Sequence, residues 1–285
     1  MSTATELTPG ELFDGRFRLV REIARGAMGT VWEAEAQGTR VALKVLRREL
    51  HADVSIRRRF RREASILKSL THPSVVRMLD FGHAAEHERS YTVIEFLQGE
   101  TLESRLVRER KLSPRALAPL LDAIASGLSA VHAHGIIHGD LKPSNLFLVE
   151  DDEARVKIVD FGLSKIDGLE RLTRTGELTG TPLYLAPELL KGERELDARL
   201  DQYAIAVVLY EALAGQHPFE ARKHPGALMF DIVMGKSQPL AAIAPELGEA
   251  LSAVVSRAMA PSPQSRFPDM VALSTAFTKA IEGVD

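Results

Sequence analysis

Apolar and polar residues alternate with a period of two at positions 17–23 and 41–45, and 75–80 and 91–96 are further strand-like pieces. Together these predict a small antiparallel sheet. Between them Ile56, Phe60, Ala64, Leu67 and Leu70 recur at helical spacing, which predicts a helix over 56–70. Pro73 ends it, because the residue before a proline is biased out of helical space. At Leu97-Gln98-Gly99-Glu100 the pattern breaks and becomes helical. Ser113 is an N-cap with Pro114 at the first helical position. Leu117, Leu120, Leu121, Ile124, Leu128 and Val131 continue to a stop at Gly135. A short buried strand is expected over 156–159, then helices over 201–214, 226–235, 247–260 and 268–281. Residues 1–15 are small, polar and turn-forming, and read as a flexible lead.

Some residues do not suit the face on which the pattern puts them. Ala42 and Lys44 share a strand face, so an ammonium stands where an apolar partner is expected and calls for a counter-charge. Glu63 falls on the apolar stripe of the 56–70 helix and is the natural partner; the alternative is a solvated carboxylate at the stripe's edge. Arg57, Arg58, Arg59, Arg61 and Arg62 cover the remainder of that helix as a solvated face. Gly26 and Gly29 lie between two strands, either as a hairpin turn or as a flap whose amides approach phosphates closely.

The richest chemistry lies in His138-Gly139-Asp140-Leu141-Lys142-Pro143-Ser144-Asn145. An Asp here can orient a hydroxyl and take its proton. A Lys two residues on can neutralise charge on a phosphoryl group in flight, and an Asn five residues after the Asp can hold a metal ion. The strand over 156–159 runs into Asp160-Phe161-Gly162, which delivers a second carboxylate to the same place. The following loop, 163–186, carries several Thr and ends in Gly180-Thr181-Pro182 and Ala186-Pro187-Glu188; structureless loops of this length are usually functional. His132, His134 and His138 lack the spacing of a metal site, and His138 reads as structural.

Composition narrows the field. A chain of 285 residues, 45% hydrophobic and 26% charged, suffices for a two-lobed globular protein. Its net charge of −3 offers no general attraction for nucleic acid or anionic membranes. The absence of cysteine excludes disulfides, thiolate metal sites and cysteine nucleophiles, and suits the cytoplasm. No stretch is apolar enough for a membrane span.

In this order the motifs resemble the protein-kinase superfamily, specifically its bacterial eukaryotic-like Ser/Thr kinases, over residues 15–280. The resemblance implies an α+β, bilobal kinase-like fold, with an antiparallel-sheet N-lobe (16–96) carrying one key helix, a hinge (97–99) and a mostly helical C-lobe (100–285). It implies ATP and Mg²⁺, or Mn²⁺, as cofactors. Ala24, Gly26 and Gly29 would form the flap over the phosphates, Val31 and Ala42 would pack on adenine, and Lys44 paired with Glu63 would hold the α/β-phosphates. Ile94 would guard the rear of the pocket, Glu95 and Leu97 would present backbone groups to the base, and Phe147 would lie beneath it. Asp140 would be the catalytic base and Lys142 the transition-state cation. Asn145 and Asp160 would hold metal, and Thr181 would help fix the catalytic loop. Glu188 would pair with Arg266, and Asp201 would cap the catalytic-loop backbone. The implied partners are proteins with Ser/Thr acceptors and the chain itself, at Thr173 and Thr175. Two positions depart from the pattern: Ala24 replaces the first flap glycine, and Gly139 stands where many members carry a phosphate-binding Arg. The rival readings are a pseudokinase scaffold, disfavoured because every catalytic position is filled, and a small-molecule phosphotransferase, disfavoured by the 186–188 segment and the long loop.

Overall fold

A computed structural model describes residues 6–26, 29–48, 54–150, 156–161, 183–193, 195–219 and 225–282. The chain divides into two compact units, one of residues 1–72 with 76–98, the other of 73–75 with 99–285.

The first unit is a six-stranded antiparallel sheet in the order β1-β2-β3-β4-β6-β5. Its strands are β1 (Leu12–Phe13), β2 (Phe17–Gly26), β3 (Gly29–Ala36), β4 (Thr39–Leu46), β5 (Met78–Ala84) and β6 (Arg89–Glu95). Gln37 and Gly38 join β3 to β4 with φ of 51° and 78°. A two-residue turn with both φ positive matches the twist of its strands and so fixes the register. Val31 therefore lies opposite Lys44, and Glu33 opposite Ala42. Lys44 and Ala42 in turn face Thr92 and Ile94 on β6. Cross-strand partners share a face. One face thus carries Val31, Glu33, Ala42, Lys44, Thr92 and Ile94, while Trp32, Ala34, Val41, Leu43, Val45, Tyr91 and Val93 form the core on the other. Helix α1 (Val54–Ser69) buries Phe60, Ala64 and Leu67, the stripe expected of it.

Two expectations need correcting. Of the lead expected over 1–15, the described residues 6–15 are anchored at two points: Leu7 and Phe13 belong to the core of this unit. The Phe13 ring stacks on His87 at 4.9 Å and meets Tyr91 edge-on at 5.5 Å, and Gly10 N–H donates to Leu19 O at 2.7 Å. Two apolar anchors outweigh the turn-forming composition around them. Val75, expected in one strand with residues 76–80, bridges Ile158 instead, and Ile158 N–H donates to Ser74 O at 2.9 Å, so 73–75 belong to the second unit.

That unit holds a small sheet, β7 (Gly99–Thr101), β8 (Leu146–Val149) and β9 (Val156–Ile158), in that order. Its helices among the described residues are α2 (Leu102–Glu109), α3 (Pro114–His132), α4 (Pro187–Leu190), α5 (Arg199–Ala214), α6 (Pro225–Val233), α7 (Leu240–Ile243), α8 (Gly248–Ala258) and α9 (Met270–Ile281). Ser113 caps α3 by accepting from Ala116 N–H at 3.2 Å. Helix α5 is buried along nearly its whole length, including the side chains of Asp201 and Gln202. A helix apolar on all sides is a core helix, so these two polar residues must be paired. No described helix is long and apolar enough to cross a membrane.

Candidate active site

In the second unit the turn 138–145 is fixed from below by Asp201 and from the side by β9. Asp201 is fully buried; its Oδ2 accepts from His138 N–H at 2.8 Å and its Oδ1 from Gly139 N–H at 2.9 Å. Its Oδ2 also meets His132 Nε2 at 2.7 Å. Three partners on one carboxylate hold the backbone just before Asp140.

The His138 ring joins this turn to β9. Its Nδ1 accepts from Asp140 N–H at 3.3 Å, so the proton sits on Nε2 and is donated to Val159 O at 3.0 Å. Complete burial pushes the His138 pKa down and keeps this neutral tautomer, against the pull of Asp201. Phe161 packs on the ring at 4.7 Å. Val159 N–H donates to Asn145 O at 3.0 Å, extending the β8–β9 ladder to the residue before Asp160. Asn145 and Asp160 are therefore neighbours in the fold. Asp160 has φ of 61°, the left-handed region that costs a non-glycine residue energy and clusters at functional sites.

Within the turn, Asn145 Nδ2 donates to Asp140 O at 2.7 Å and lies 3.3 Å from Asp140 Oδ2. Lys142 Nζ is 3.5 Å from the same Oδ2. With the side-chain nitrogen so engaged, Asn145 Oδ1 is the end of the amide turned to meet a cation. Among the described residues no three His, Cys, Asp or Glu cluster as a metal site. One amide oxygen and one carboxylate fit a Mg²⁺ that keeps waters and takes its other ligands from phosphate. The donor set therefore fits the implied ion. Phe147 is half-buried on β8, on the strand face opposite Leu146 and Leu148.

In the first unit the sheet face described above brings Val31, Ala42, Lys44 and Ile94 together, with Ala24 paired to Val31 and Gly26 to Gly29. A Cβ on Gly29 would lie 2.1 Å from Val45 O, so close strand approach already requires this glycine, whereas a Cβ on Gly26 would meet nothing within 4 Å. Lys44 and Glu63 are both half-buried, and neither lacks a partner. Glu95, at the end of β6, accepts from Arg77 N–H through its side chain at 2.8 Å, while Leu97 follows beyond the strand. Thr181, Gly162, Thr173 and Thr175 lie outside the described residues.

Two features escaped the sequence reading. Glu33 shares the face of Val31 and Ala42, which the period of two around Val31 already implied. The bond from Tyr184 Oη to Glu211 Oε2, 2.6 Å, links residues 27 apart and leaves no local signal.

The fold and this turn define a phosphoryl-transfer domain of the kinase class. The chain belongs to the protein kinase domain family, whose model matches residues 17–277. Two curated relatives are serine/threonine-protein kinases of bacteria. It is 40% identical to the serine/threonine-protein kinase pkn2 of Myxococcus xanthus over 221 residues, 75% of this chain and 26% of the relative. It is 36% identical to the serine/threonine-protein kinase PknH of Mycobacterium tuberculosis over 287 residues, 100% of this chain and 45% of the relative. The crystal structure of the M. tuberculosis PknI kinase domain superposes with a TM-score of 0.78 at 28% identity, covering 97% of this chain and 100% of that one. The chain thus spans between a quarter and a half of these curated relatives.

Proposed function

We propose that the chain transfers the γ-phosphoryl group of ATP to Ser and Thr hydroxyls of proteins, its own included. The observation that carries this reading is the Asp140–Lys142–Asn145 turn, held by Asp201 and His138 against the strand that leads into Asp160. When bound, Mg-ATP supplies the phosphoryl group and much of the charge neutralisation. Asp140 would orient the acceptor hydroxyl and take its proton as the oxygen bonds to the γ-phosphorus and the bond from that phosphorus to the bridging oxygen breaks, leaving ADP. Lys142, beside the same carboxylate, offsets charge on the phosphoryl oxygens. Asn145 and Asp160 provide oxygens for the ion. Lys44, with Glu63 as its proposed counter-charge, binds the α/β-phosphates, and Val31, Ala42 and Ile94 contact the base. Glu95 and Leu97 offer it backbone groups, Phe147 lies beneath it, and Gly26 and Gly29 flank the flap. Residues 97–99 serve as the hinge.

Thr173 and Thr175, beside Arg171 and Arg174, are the proposed autophosphorylation sites, and Thr181 stays unmodified to support Asp140. The reading places the chain in the cytoplasm, where ATP is available. Incubation with Mg-ATP followed by intact-mass and peptide mapping tests catalysis and locates these sites together. Phosphate found only outside 163–181 would remove the loop assignment, and no transfer to self or to a Ser/Thr peptide would remove the activity.

A further inference from the structure

We propose that Arg40 and Glu33 are positioning residues for the adenine end of the nucleotide site, acting through the ring of Phe96. This inference rests on the reading that Glu95 and Leu97 present their backbone to the base, since Phe96 is the residue between them.

Glu33 is a carboxylate on the sheet face that also carries Val31, Ala42 and Ile94, and its side chain is only 8% exposed. A carboxylate so placed needs compensation, and two arginines provide it. Arg40 donates to Oε1 from Nε at 2.9 Å and from Nη2 at 2.8 Å, while Arg21 Nε lies 2.8 Å from Oε2. The grip on Oε1 fixes the plane of the Arg40 guanidinium. That plane lies over the Phe96 ring, 4.1 Å from its centroid. The tight turn at Gln37-Gly38 sets Arg40 one residue before Val41, which pairs with Glu95. The far side of Glu95 is tied as well, since its N–H donates to Arg77 O at 3.0 Å. The exit of β6 is thus held from Arg77 on one side and from Arg40 on the other. The Arg40 side chain is 54% exposed and is not itself part of the hydrophobic core of this unit. A guanidinium oriented by a buried carboxylate and laid on an aromatic ring also orders the segment that carries the ring.

The test measures ATP KM, peptide KM and kcat, with equilibrium binding of a fluorescent ATP analogue as a second readout, in Arg40→Ala, Arg40→Lys and Phe96→Leu. An exposed cation over an aromatic ring is worth a factor of about two to five in an equilibrium constant. Arg40→Ala is therefore expected to raise ATP KM and analogue Kd by up to about that factor with kcat and peptide KM unchanged, and to lower Tm as well, since the buried Glu33 keeps only Arg21. Arg40→Lys keeps a cation at the ring and is expected to recover part of the loss. Phe96→Leu is expected to reproduce it, and the double variant to lose no more than either alone. Unchanged ATP KM in Arg40→Ala, or fully additive losses in the double variant, would overturn the proposal. Wild-type protein that bound no analogue, with Lys44→Met no different, would show instead that the nucleotide reading beneath it had failed, and the inference with it.

Discussion

Arg266 grips Glu188 with both arms of its guanidinium, Nη1 to Oε1 at 2.8 Å and Nη2 to Oε2 at 2.7 Å, and the two side chains are 0% and 4% exposed. The remaining donors are also used, Nε on Ala260 O at 2.8 Å and Nη1 on Arg199 O at 2.8 Å. The group joins α4 to the turn before α9. Removing one partner of a buried pair strands the other charge and costs about 3–5 kcal/mol. Arg266→Ala is expected to lower Tm by roughly 10 °C, at about 2–4 °C per kcal/mol in a chain of this size. Glu188→Leu in that background is expected to recover part of the loss, because it removes the orphaned charge. Thermal unfolding of the single and double variants decides the matter; a drop under 2 °C in Arg266→Ala would show that water reaches Glu188.

Asp201 supports the chemistry from one step further away. Both its oxygens accept backbone N–H groups, so Asp201→Asn keeps the shape but turns an NH₂ toward a donor. The expected result is a stability loss of about 1–3 kcal/mol, the cost of one buried unmade hydrogen bond. A fall in kcat of about ten- to a hundredfold with little change in ATP KM should accompany it, because the turn carrying Asp140 loses an anchor. Equal losses in kcat and in ATP affinity would place the effect elsewhere.

The candidate groups that touch the reaction give a sharper contrast. Asp140→Asn and Lys44→Met are each expected to reduce turnover by orders of magnitude at unchanged Tm, since one removes the proposed base and the other the proposed phosphate cation. Asp160→Ala is expected to lose Mg²⁺-dependent nucleotide binding as well. Near wild-type turnover by a folded Asp140→Asn protein would end the assigned mechanism.

Much of this was legible in the sequence, for reasons that differ by residue. The face shared by Ala42 and Lys44 follows from a period of two, and the buried stripe of α1 from helical spacing, because both patterns are local. The Glu188–Arg266 pair was legible only through resemblance, since 78 residues separate them. The packing of residues 6–15 was not legible. A strap needs only Leu7 and Phe13 to anchor it, and two apolar residues among turn formers carry no periodic signal. Val75 was misplaced for a related reason: an apolar residue at the edge of a strand-like run does not declare which sheet it joins.

Burial fixes the acid side of the stability curve. The pKa values of His138 and His217 are both pushed below the ordinary 6.5 by desolvation. Between 6.5 and each lowered native value the unfolded chain takes up a proton that the native chain refuses. Stability is therefore fully present above 6.5 and falls as pH drops through that window, by up to about 1.4 kcal/mol per pH unit for each group. Burial raises the Glu211 pKa above its ordinary 4.5, which works the other way: between that value and the raised one, stability falls as pH rises. Denaturant titrations from pH 7.5 to 5 are expected to show net loss toward acid. His217→Gln, which keeps a donor toward Leu183 O, is expected to shallow the slope by about one proton. An unchanged slope would mean that His217 protonates without unfolding.

The last expectation concerns Gly139, whose φ of 71° an L-residue reaches only at a cost, and whose N–H is spent on Asp201. Kinases with Arg at this position pair it with a loop phosphate, so that phosphorylation orders the loop and licenses activity. Glycine has no side chain with which to make that bond. An exposed arginine elsewhere is a weaker substitute, since surface ion pairs contribute about 0–1 kcal/mol. Phosphorylation of this chain is therefore expected to modulate catalysis without licensing it. Turnover against a Ser/Thr peptide, measured on phosphatase-treated protein and on Thr173→Ala/Thr175→Ala, is expected to fall less than about tenfold, or ~1.4 kcal/mol in the barrier. A loss of several hundredfold, reversed when the phosphate is restored, would show that another cation has taken over the role of the missing arginine.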